Sequence, residues 1–123
     1  MNWWLLAGGV MALVCAAGHA VAGSTMFYRP IKAAVTNELQ GGVLTGMWHL
    51  ITIHFMLSAL ALLVLATPGR QDAIAWFIAA QFAGYAVIYL VISLRLGGVL
   101  KLFQWLPFGL TALLAAAGAL AAR

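Results

Sequence analysis

The side chains best equipped for chemistry are three histidines, each set among large apolar residues: His19 in CAAGHAVAG, and His49 and His54 in GMWHLITIHF. Two histidines from facing helices at equal depth can ligate a haem iron. His19 and His49 form the best-matched pair, with His54 in reserve. No CxxCH is present, so such a haem would be a non-covalent haem b. A second donor set is Met11, Cys15 and His19 at i, i+4 and i+8, with Met47, His49 and Met56 on a later segment. Thioether, thiolate and imidazole together suit copper(I). A third chemistry needs only hydrogen bonds, since a histidine and tyrosines near a membrane interface can hold the carbonyls of a quinone. Against all three stands a plainer expectation, that no cofactor is bound. Methionine and cysteine are ordinary packing residues, and polar groups in apolar helices serve to join helices.

Gln81, Tyr85, Tyr89 and Ser93 follow at intervals of four and so lie along one side of a helix. Lipid offers no hydrogen-bond partners, so this stripe is expected to face the bundle interior, where Gln81 or Tyr85 would bond His54, with Ser58 one turn further on. His49 and His54 are five apart, about 140° around a helix, and cannot share a face. The only carboxylates, Glu38 and Asp72, fall in predicted loops. A proton or ion path calls for a carboxylate inside the membrane. Active transport by this chain alone and hydrolytic catalysis are therefore not expected, and the chain is read as a non-enzyme.

The elements that must position these groups follow from composition. Of 123 residues, 66% are hydrophobic and 7% charged, with mean hydropathy +1.08. An ionised side chain in hydrocarbon costs several kcal/mol, and a chain with so few is an integral membrane protein. A spanning helix needs about 20 apolar residues, and four segments qualify: 3–23, 43–66, 73–94 and 99–122. They make one all-α transmembrane domain over 1–123, an up-down-up-down four-helix bundle. Pro68 and Gly69 in TPGRQD break the second helix, and Asp72 can cap the third. Gly97 and Gly98 mark a tight turn before the fourth, in which Pro107 is expected to introduce a kink. The loop 24–42 is the longest connection, with a short surface helix expected over IKAAVTNEL. The first segment has no basic leader region and is longer than a signal-peptide core, so it reads as a retained helix.

The net charge of +4 reads as a topology signal rather than as nucleic-acid binding. Arg29, Lys32, Arg95 and Lys101 lie in the first and third loops, Arg70 and Arg123 on the other side. The positive-inside rule then puts loop 24–42 in the cytoplasm and both termini outside. Arg29 and Lys32 are placed to meet an anionic lipid headgroup or a partner's carboxylate. The single Cys15 excludes an internal disulfide. Small residues (Gly8, Gly9, Ala12 and Ala16 early, Thr111, Ala115 and Gly118 late) permit close helix contact, inside the bundle or with other subunits.

Gly18, His19 and Gly23 at the end of the first helix, Arg29–Pro30 after it, and Trp48–His49 with Thr52 opening the second resemble a group of small bacterial four-helix membrane proteins. Over about the first half of the chain the pattern holds, except that Ser24 stands where an acidic residue often follows the glycine. The resemblance implies no activity. It groups His19, Arg29, Trp48 and His49 as one constellation at the cytoplasmic side. The first expectation for function is a non-catalytic accessory subunit of the bacterial inner membrane, bound to lipids and to other membrane subunits or to itself. The alternatives are a haem or copper redox protein and a quinone- or lipid-binding module.

Overall fold

The computed structural model describes residues 1–67 and 73–121. The chain forms four helices: α1 (Trp3–Ala34), α2 (Glu38–Leu65), α3 (Ala73–Arg95) and α4 (Trp105–Ala121), with no strand among the described residues. α1, α2 and α3 are each long and apolar enough to cross a membrane. α4 is as apolar, but its 17 residues reach about 25 Å against a hydrocarbon thickness of about 30 Å. Four full spans were expected, and the fourth is the shorter one.

Three boundaries depart from the sequence expectation, each for a local reason. The predicted loop 24–42 is almost wholly helical, and the connection shrinks to residues 35–37. A proline ring collides with the carbonyl four residues back in a regular α-helix. Here the stretch His19–Tyr28 is wound as a wider π-helix, with the Arg29 amide donating to Ser24 O, five residues back. That wider winding leads into the α-turn containing Pro30, so the helix passes through it. Thr25, which reads as a loop residue, donates to Ala22 O at 2.9 Å and is satisfied within the helix. The Asn37 side chain accepts from Gln40 N at 3.1 Å and starts α2 five residues earlier than expected, with Glu38 favourably placed at the helix N-terminus.

α4 starts at Trp105, not 99. Ser93, fully buried, donates to Gly98 O at 2.6 Å and accepts from Leu102 N at 3.0 Å. It holds the chain in successive turns, with Gly97 at φ +92°. Pro107 consequently lies in the first turn of α4, where its missing N–H is one of the four without a helical partner; it opens the helix and does not kink it. α3 ends within one residue of expectation. The predicted break at Pro68–Gly69, the Asp72 cap and Ala122 lie outside the described residues.

The helices alternate in direction. Asn2 at the start of α1 donates its backbone N–H to Ala66 O at 2.8 Å, just past α2, and its side-chain amide to Gly118 O near the end of α4 at 2.7 Å. α1 packs between α2 and α4, α4 packs on α3, and of the four neighbouring pairs around the bundle α2 and α3 meet least. Small residues make the close seams. A Cβ on Gly9 would stand 2.7 Å from Leu63 Cγ, and one on Gly118 would stand 3.0 Å from the Leu5 backbone nitrogen. Lipid tails are as apolar as these side chains, so the seams hold through close packing rather than through expulsion of water. Midway along, Phe55 of α2, Phe82 of α3 and Phe108 of α4 form an aromatic layer, with ring centroids 5.4 to 6.0 Å apart.

Candidate functional site

The π-helical stretch and Gly23 cut a notch into α1. Trp48 of α2 enters it. Its ring stacks on His19, centroids 4.0 Å apart at 19°, and on Tyr28 at 5.1 Å and 28°. Gly23 permits the approach, since a Cβ there would lie 3.1 Å from Trp48 Cη2. His19 Nε2 lies 3.2 Å from Trp48 O. A carbonyl can only accept, so Nε2 carries the proton. The same carbonyl accepts from Thr52 Oγ1 at 3.2 Å.

This arrangement does not bring His19 and His49 together. His49 follows Trp48 by one residue, about 100° round the helix. It is exposed, and its ring comes no nearer to Tyr28 than 6.4 Å between centroids. With His19 Nε2 engaged and His49 turned away, the two imidazoles make no contact with each other. The copper set diverges too: Cys15 is buried with Sγ 3.9 Å from Thr111 Oγ1 of α4, while His19 faces α2. Met11 is half-buried on α1; Met47 and Met56 are exposed. Among the described residues no three of His, Cys, Asp and Glu gather where a metal ion could sit.

His54 lies elsewhere. Its Nε2 is 3.2 Å from Tyr85 Oη, which joins α2 to α3 beside the aromatic layer. Ser58 donates to the His54 backbone carbonyl at 2.9 Å, not to the imidazole. Along the stripe, Gln81 is half-buried, Tyr89 packs edge-on against Phe108 at 5.5 Å, and Ser93 holds the 96–104 turn. Near the other connection, Lys32 Nζ donates to Thr45 Oγ1 at 2.6 Å and to Gly41 O at 2.9 Å, and Tyr28 Oη is 3.0 Å from the same hydroxyl. Lys32 therefore turns in against α2. Arg29 stays exposed.

Between these groups, where α2 and α3 part, lies a cavity of about 810 Å³. Its α1 wall runs from Val14 to Phe27, roughly 20 Å at the helical rise. The aromatic layer contributes Phe55 and Phe108, and the turn before α4 supplies Phe103 and Gln104. Most of the lining is hydrocarbon and aromatic ring, and its polar residues include His19, His54, Tyr85, Tyr89 and Gln104. Gln104 Oε1 is buried with no hydrogen-bond partner. Sequence reasoning finds the histidines and the tyrosine stripe but misses Gln104, whose signal is a lone amide in the otherwise apolar run LFQWLPF. It also misses Gly18, where an added Cβ would meet nothing within 4 Å. Comparison with protein-family models, with curated proteins and with solved structures finds no match to this chain.

Proposed function

We propose that the protein is a non-catalytic, membrane-embedded binding module that holds an elongated amphipathic molecule of the lipid or quinone class between α2 and α3. The observation that carries this reading is the cavity. Its volume of about 810 Å³ falls within the range of small-molecule sites, and an apolar wall with a few convergent polar groups is their usual make-up. Its length suits a hydrocarbon chain, and the imidazole and phenol groups suit a polar head. The test is purification in mild detergent followed by mass spectrometry of the retained lipids. Gly18→Leu projects into open space, so it should keep the fold and lose the retained molecule. Equal retention by both proteins sinks the reading.

The accessory-subunit reading draws support from the same seam. A partner chain, or a second copy, could close the side on which α2 and α3 barely meet. The same purification decides it, because a subunit brings its partner along and a self-contained module elutes alone. We place the protein in the bacterial inner membrane with both termini outside, on the four-to-two bias of basic residues. An alkaline phosphatase fused after Arg123 is then active; an inactive fusion reverses the orientation.

A further inference from the structure

We infer that the occupant of the cavity is an anionic phospholipid, its acyl chain between α2 and α3 and its phosphate at Arg29, Arg95 and Lys101. The inference rests on the binding-module reading and adds the class of ligand.

The two ends of the cavity differ. One end is bounded by the aromatic layer and by Val14 and Cys15, which offer no charge. Beyond the other end, three separate elements each carry a cation within three residues of the lining. Arg29 stands two residues past Phe27 on α1, Arg95 three past Ile92 on α3, and Lys101 beside Leu102 in the turn; Phe27, Ile92 and Leu102 all line the cavity. The three basic residues are exposed, and no side-chain hydrogen bond or ion pair engages them among the described residues. Lys32 is different, being held by Thr45 and Gly41. Glu38 is the one carboxylate among the described residues. A neutral quinone would leave these cations unpaired at its head. A phosphodiester gives them a partner, and the planar guanidinium groups of Arg29 and Arg95 suit paired bonds to phosphate oxygens. Polarity along the cavity thus fixes one ligand orientation, with the tail toward Phe55 and Phe108 and the head at the basic end.

Basic residues at this end also set membrane orientation, so the test has to read headgroup choice. The full chain is placed in nanodiscs of phosphatidylcholine, with and without a minority of phosphatidylglycerol, and the lipids it retains are counted by native mass spectrometry. Phosphatidylglycerol should be enriched over its share of the disc. Arg29→Gln and Lys101→Gln should each lower that enrichment about fivefold, the factor equivalent to about 1 kcal/mol for one basic residue near an anionic surface. Arg29→Lys should keep most of it. Retention of both lipids in disc proportion by the unaltered protein overturns the inference and needs no variant to show it. If Gly18→Leu still strips lipid in that case, the cavity reading survives; if it strips none, both fall. Inorganic phosphate that abolishes the enrichment where chloride of equal ionic strength does not would assign the cations to a free anion, and the lipid assignment would fail.

Discussion

Trp48 shows how much one side chain settles here. Its ring stacks with two residues nine apart on α1, His19 and Tyr28, and its carbonyl accepts a hydrogen bond from His19 Nε2–H. The stack and the hydrogen bond separate experimentally. His19→Phe keeps a ring against Trp48 and removes the donor. It should cost about 0.6 kcal/mol, the average for an interhelical hydrogen bond in a membrane protein, since Thr52 still serves the carbonyl. His19→Ala removes the ring as well and should cost a further ~0.5–1.5 kcal/mol for the lost aromatic contact. Unfolding in mixed detergent micelles measures both, and equal losses would show that the stack contributes nothing. At this scale the sequence shows which polar residues are present in the membrane but not which way each one points. His19 and His49 look like partners by depth. A rotation of one residue about α2 gives the place to Trp48 instead.

At the scale of elements, the connections follow from single polar groups. Ser93 both donates and accepts within the 96–104 turn. Ser93→Ala would leave Leu102 N–H and Gly98 O without that partner. It should destabilise by about 1–3 kcal/mol, the cost of an unsatisfied buried group. Hydrogen exchange should rise first at Leu102; a rise spread evenly over α3 and α4 would count against the local role. The ends of α3 were legible, because hydropathy changes abruptly near Asp72 and Arg95. The continuation of α1 to Ala34 was not. Ser24, Thr25, Arg29 and Pro30 have the composition of a loop, and only the π-helical winding of His19–Tyr28 and the Thr25 hydroxyl bond let a helix contain them. The fourth helix was overestimated for the opposite reason: VLKLF is apolar enough for a helix, but Ser93 holds it in turns.

For the whole molecule, the decisive fact is the order of neighbours. α1 lies between α2 and α4, so the seam between α2 and α3 stays open and the cavity forms behind it. Gly18→Leu bears on this scale too. Leucine favours a helical backbone over glycine by about 0.5–1 kcal/mol. The variant should therefore melt above the unaltered protein in lipid-free detergent and gain nothing when lipid is added back. The unaltered protein should gain by linkage, about 2.7 kcal/mol at a ligand concentration a hundred times the Kd. A variant that still responds to lipid would place the lipid outside the cavity.

The sequence by itself determined the solvent and the fold class. Hydropathy and helix length are local properties, and a chain with 7% charged residues has to satisfy its backbone within helices when it meets lipid. It also determined the antiparallel run of the third and fourth helices, although the turn between them is longer than the sequence suggests. Only the tertiary structure decided the rotation of each helix about its axis, and with it the His19–Trp48–Tyr28 stack, the inward turn of Lys32 and the cavity. A soluble helix carries its rotation in an apolar stripe. These helices are apolar on nearly every face, so their rotation is set by glycine notches and a few hydrogen bonds, which act only once a neighbour is in place.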